Sequence, residues 1–150
     1  MDSFDADVLI YAAVAGHALG RRVRALFPVE PEESRVGIGS VLLVPELLTK
    51  PLRGNATDEL NELSALLGWL DLLPTDEATA ELATALAAAY GLRAADAVHL
   101  ATAVAAGATR FLTNNRADFP KSITEIDVVY PDEPAEPDTS MIMKARSRHR

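Results

Sequence analysis

Asp5, Glu46 and Asp96 are carboxylates set among apolar residues, where an acid must find a partner, a cation or water. Asp5 and Asp7 stand directly ahead of Val8-Leu9-Ile10. Glu46 interrupts Val41-Leu42-Leu43-Val44-Pro45-Glu46-Leu47-Leu48. Asp96 sits in Leu92-Arg93-Ala94-Ala95-Asp96-Ala97-Val98-His99-Leu100-Ala101-Thr102-Ala103. Asp118, with Asn115 just before it, follows Phe111-Leu112-Thr113-Asn114. Three or four such groups brought together repel unless a cation compensates. Hard divalent ions take oxygen ligands, and Mg²⁺ keeps waters that serve as nucleophile or bridge to phosphate.

Each acid also has a plainer reading. Asp5 or Asp7 would serve as the N-cap of the helix that follows, Asp7 more so than Asp5. Glu46 would pair with Lys50 four residues on. Asp96 would stabilise the first turn of its helix through the macrodipole. Asp118 would be a solvated loop residue. His99 shares a face with Asp96, and a lone His in an apolar helix is most simply a hydrogen-bonded core residue, so no chemistry is assigned to it.

The elements that must position these acids alternate between strand and helix. Residues 2–7 read as a strand and turn, followed by an apolar helix over 8–14 and an amphipathic turn over 21–27 ending at Pro28. Residues 35–39 alternate like a short buried strand. Ser40 suits an N-cap for a helix over 41–50 that Pro45 should kink and Pro51 should end. Leu60, Leu63, Leu66 and Leu67 have helical spacing behind Thr57. Residues 69–74 form a strand candidate. Thr75-Asp76-Glu77 opens a helix that Gly91 stops. Residues 94–106 form a nearly all-apolar helix closed by Gly107, residues 109–112 a strand, and 126–130 a last strand. Such alternation predicts a parallel-type sheet with helices on both faces. In open sheets of this kind ligands bind outside the carboxyl ends of the strands, where Asp5 and the 115–118 loop fall.

The chain has 150 residues, enough for one domain. One folded unit is expected over 1–130. The tail over 131–150 reads as a flexible Pro-containing acidic stretch with a basic end. There is no cysteine, which excludes disulfides and thiolate sites. The acidic start and the shortness of every apolar run argue against a signal peptide or membrane span, and a cytoplasmic protein is the expectation. The formal net charge of −8 argues against a broad cationic nucleic-acid surface.

Four stretches carry a resemblance: residues 4–11, 40–48, 92–103 and 111–119. In this order they resemble the PIN domain, and within it the small VapC-type toxin ribonucleases. The resemblance implies an α/β fold, a PIN-like three-layer α/β/α sandwich with a short, mainly parallel sheet. It implies a Mg²⁺- or Mn²⁺-dependent endoribonuclease, the toxin of a toxin–antitoxin pair. Asp5, Glu46 and Asp96 match the family's first three acids. The fourth acid usually follows a Thr-Asn pair directly, and here that position is Asn115. Asn115 offers a carbonyl oxygen without charge, and Asp118 is the nearby acid that would compensate. Asp7 would support Asp5 through water, and Thr113 and Asn114 would position phosphate or a metal-bound water. Lys50, Arg53, Arg93 and Arg116 are candidates to touch an RNA backbone. A protein antitoxin and a homodimer are the implied partners, with RNA as substrate.

Two rivals stand beside this reading. The departure at Asn115 allows a PIN-fold binding or scaffold protein with little nuclease activity. A receiver-like phosphoacceptor would need an acceptor Asp after a middle strand and a Lys after a late one, and the sequence offers neither.

Overall fold

The computed structural model describes residues 1–14, 16–28 and 35–133. Its elements run β1 (Asp2–Phe4), α1 (Ala6–Ala13), α2 (Ala18–Arg24), β2 (Gly37–Ser40), α3 (Leu43–Arg53), α4 (Thr57–Gly68), β3 (Leu70–Leu73), α5 (Glu77–Tyr90), α6 (Ala94–Ala105), β4 (Arg110–Leu112) and β5 (Asp127–Val129). The strands form one sheet in the order β3-β2-β1-β4-β5, and every neighbouring pair is parallel.

Successive residues of a strand face opposite sides of its sheet, and here they enter different cores. Leu112 and Val129 join Phe4, Leu9, Leu43, Leu47 and Leu63 in the core beneath α1–α4. Phe111 and Val128 join Leu86, Leu100 and Phe119 beneath α5 and α6. The expected layering of helices on both faces of a parallel sheet is therefore present. No described helix is long and apolar enough to cross a membrane.

Parallel strands place all their carboxyl ends on one edge. Strand order reverses at β1: the chain steps outward to β2 and β3 on one side, then crosses through α5 and α6 to β4 on the other. The gap between the ends of β1 and β4 is the topological switch point, the usual place for a ligand in an open α/β sheet. Because β4 begins at the amino edge, α6 runs back against the strands and starts at the carboxyl edge.

Some local expectations shift. The first helix begins at Ala6 rather than at residue 8, and α2 begins at Ala18 with His17 as its N-cap. Ser40 is the last residue of β2, and its hydroxyl accepts from the Leu42 amide instead of capping α3 directly. Pro45 falls in the first turn of α3, where a missing N–H leaves no bond unmade, so it neither kinks nor breaks the helix. Pro51 lies inside α3, which continues to Arg53. Gly91 closes α5 in the left-handed conformation at φ 67°. At Gly20 a Cβ would meet the Tyr11 carbonyl oxygen at 1.9 Å, so α2 packs on α1 only with glycine there. Residues 131–133 are tied to the domain: Arg22 donates to the Asp132 carbonyl and Lys121 pairs with Glu133. The remainder of the expected tail, 134–150, lies outside the described residues.

Candidate metal centre

Asp5 follows β1 and N-caps α1, with Oδ1 accepting from the Ala6 amide at 2.8 Å. Its Oδ2 accepts from Thr113 Oγ1, also at 2.8 Å. Of the two acids weighed for the cap, Asp5 therefore takes it. Capping uses Oδ1 toward the Ala6 amide and does not exclude a second role for the carboxylate. Thr113 is wholly buried, and its hydroxyl accepts in turn from the Asn115 amide at 3.1 Å. The β1–β4 pairing brings these partners together: Phe4 lies opposite Leu112, and the Asp5 amide donates to the Leu112 carbonyl. Thr113 thus orients Asp5, and phosphate has no direct access to its side chain.

Asp7 lies in the first turn of α1. Its Oδ2 accepts from the Asn114 amide at 3.0 Å, while Oδ1 is buried with no hydrogen-bond partner among the described residues. The Asn114 side chain reaches Tyr11 Oη at 3.4 Å. Glu46 and Asp96 lie in the first turns of α3 and α6, helices that both start at the carboxyl edge. Glu46 Oε2 is 2.9 Å from His99 Nε2, a contact that replaces the pairing with Lys50 considered from sequence. The side chain of Asp96 has no hydrogen-bond partner among the described residues. Asn115 and Asp118 bind one another: Asn115 Nδ2 donates to Asp118 Oδ2 at 2.8 Å, and the Asp118 amide donates to Asn115 Oδ1 at 3.2 Å. The one side-chain oxygen of Asn115 is thereby engaged.

The charges report a shared neighbourhood. Burial raises the Asp5 carboxyl above its usual range; the Thr113 hydroxyl, His99 and the Ala6 amide pull it back, and Glu46 pushes it up again. Burial and then the Asp5 charge push Asp7 up to about 6, with a smaller push from Asp96. Asp96 is raised by partial burial, then by Asp5 and Asp118, with Glu46 adding to this and His99 opposing it. Asp5, Glu46, Asp96 and Asp118 are thus linked through mutual repulsion at one edge. Among the described residues no Lys or Arg is ion-paired with any of the four. Arg116, one of the candidate RNA contacts, is paired with Asp132 and lies over the Tyr130 ring at 4.4 Å. Lys50, Arg53 and Arg93 are exposed.

Does the donor set suit a divalent cation? Its chemistry does: hard carboxylate oxygens, no thiolate, and a repulsion that a cation would relieve. The buried, unpartnered Asp7 Oδ1 points the same way, since such an atom calls for a ligand or water. Yet among the described residues no three His, Asp or Glu side chains stand close enough to form a ready-made cage. The residues fit in kind and share an edge, and holding an ion requires the carboxylates to close on it.

His99 is the residue that sequence reasoning set aside. Its spacing of three from Asp96 was the available signal. Its contact with Glu46, 53 residues away in the chain, was not readable without the fold.

The family model described as PIN domain matches residues 4–121. A chain of a toxin–antitoxin complex from Klebsiella pneumoniae is 26% identical, with a TM-score of 0.67, covering 89% of this chain and 99% of that one. A chain of FitAB bound to an IR36 DNA fragment is 21% identical, with a TM-score of 0.65, covering 91% and 99%. A chain of VapBC2 from Rickettsia felis, bound to a DNA fragment from its promoter, is 15% identical, with a TM-score of 0.62, covering 86% and 97%. The last two likenesses speak for the fold alone. No curated protein sequence matches the chain.

Proposed function

Because the chain belongs to the PIN domain family, in general a family of nucleases, we propose that it is a Mg²⁺- or Mn²⁺-dependent endoribonuclease and the toxin of a toxin–antitoxin pair. The observation that carries this reading is the electrostatic linkage of Asp5, Glu46, Asp96 and Asp118 at the switch-point edge. Asp5, Glu46 and Asp96 would hold the ion. Asp118 is the better fourth oxygen, because Asn115 has its own oxygen occupied by the Asp118 amide. A bound divalent ion supplies charge stabilisation at phosphate and a water of lowered pKa.

The protein's own part is orientation. Thr113 holds Asp5 from one side and the Ala6 amide holds it from the other. Asn115 holds Asp118. Lys50, Arg53 and Arg93 are exposed cations available to a phosphate backbone. The chain carries 22 acids against 14 Lys and Arg, a net charge of −8, so a basic antitoxin segment laid over the acidic edge would complement it. A homodimer belongs to the same proposal, with exposed Ile10 and Val14 of the α1 region and Leu52 of α3 as apolar surface for it. The scaffold reading draws on Asn115, the neutral residue at the usual place of the fourth acid.

RNA cleavage by the purified protein tests the proposal. Cleavage is expected with Mg²⁺ or Mn²⁺, none with chelator, and none by Asp5→Asn. Binding of RNA without cleavage under all metal conditions would favour the scaffold. Cleavage unchanged in Asp5→Asn would place the activity elsewhere.

A further inference from the structure

His99 is 2% exposed and reaches from α6 to Glu46 of α3. Its Nε2 lies 2.9 Å from Glu46 Oε2, while its Nδ1 is buried without a hydrogen-bond partner among the described residues. A carboxylate only accepts, so Nε2 carries the donated proton. A buried N–H without an acceptor is more costly than a buried lone pair without a donor, so the arrangement assigns the bare nitrogen to Nδ1. The ring cannot flip without losing its one hydrogen bond.

Among the described residues the Glu46 side chain has no other hydrogen bond. It is a long side chain in the first turn of α3, about a third exposed, and it has several rotamers open to water. His99 removes that freedom by anchoring one carboxylate oxygen and leaving Oε1 as the oxygen free to turn to the other acids. His99 also stands three residues from Asp96 on one helix, so the ring ties Glu46 to the face of α6 that carries Asp96. Outer partners of this kind orient ligating carboxylates, and losing one commonly costs about 10–100-fold in metal affinity.

From this we infer that His99 is a positioning residue for Glu46: it pre-sets the carboxylate for a divalent cation without touching the ion itself. The inference rests on the proposed metal-dependent function and extends it to a residue outside the acidic set.

Mn²⁺ affinity by isothermal titration calorimetry, with thermal unfolding measured alongside, tests it on wild type, His99→Leu and His99→Gln. His99→Leu keeps an apolar fill of the buried site and loses the donor; it is expected to bind Mn²⁺ about 10–100-fold more weakly. His99→Gln offers an amide N–H to Glu46 and is expected to recover most of the affinity. A metal-free readout accompanies this: the two-bond ¹H–¹⁵N spectrum of the His99 ring is expected to show a protonated Nε2 and a bare Nδ1. Wild-type affinity in a folded His99→Leu, or a ring protonated at Nδ1 only, would overturn the inference while leaving the nuclease proposal standing. No Mn²⁺ binding by wild type would overturn both. If His99→Leu does not fold, His99→Gln decides: near-wild-type affinity supports the inference, and a weakening as large as that expected of the leucine variant contradicts it.

Discussion

Thr113 Oγ1 donates to Asp5 Oδ2 at 2.8 Å, joining the residue after β4 to the residue after β1. The bond spans the switch point and is buried at both ends. Thr113→Val keeps the shape and removes the hydroxyl. It strands Asp5 Oδ2 and also the Asn115 amide, which donates to the same oxygen. Urea unfolding is expected to show a loss of about 1–3 kcal/mol, with Thr113→Ser much closer to wild type. Equal stability of the valine variant would mean that the bond contributes nothing.

Asp7 gives the fold a pH dependence of definite sign. Its carboxyl is pushed from 3.8 up to about 6 in the folded protein, chiefly by burial and then by the Asp5 charge. Between these values the folded state holds a proton that the unfolded state has released. Stability therefore falls as pH rises through this window and stays low above it. Asp7→Asn keeps an acceptor for the Asn114 amide and removes the charge. Without divalent cation it is expected to be more stable than wild type at about pH 7.5, by about 1–2 kcal/mol after allowance for partial exposure. The two should converge near pH 4, roughly the unperturbed carboxylate pKa. Melting temperatures across this range check it; parallel curves would contradict the assignment.

Much of the fold was legible because its longer helices carry their own signals. Asp76 accepts from the Thr79 amide as the N-cap of α5, and Gly91 takes the positive φ that ends it. Both roles follow from residue type alone. α4 and α6 likewise follow from leucine spacing and from an apolar run. The misreadings were all at junctions. Pro45 and Pro51 look alike in sequence, and their effect depends on where α3 begins, which is at Leu43, so that Pro45 falls in the first turn and Pro51 inside the helix. Asp5 and Asp7 were both eligible to cap α1, and the choice follows from β1 ending at Phe4. At the site, carboxylates among apolar residues were visible as anomalies. Their partners were not: Thr113 for Asp5 and His99 for Glu46 lie 108 and 53 residues away.

Asn115 is the departure that can be reversed. Asn115→Asp would set a carboxylate against Asp118, with which the asparagine now shares two hydrogen bonds. In chelator the variant is expected to melt below wild type, because two like charges replace a donor and an acceptor. With Mn²⁺ the order is expected to narrow or reverse, since a cation at the site would bind the extra charge. Thermal melts with and without Mn²⁺ decide it. Destabilisation of equal size in both conditions would show that position 115 does not face the ion.

Paramagnetic broadening by a small amount of Mn²⁺ in ¹H–¹⁵N spectra reads the location of a bound ion directly. The amides of Asp5, Glu46, Asp96 and Asp118 are expected to broaden together, before those of the exposed acids Asp58, Glu59 and Glu62 on α4. Broadening spread evenly over acidic surfaces, or confined to α4, would contradict a single metal site at the carboxyl edge of the sheet.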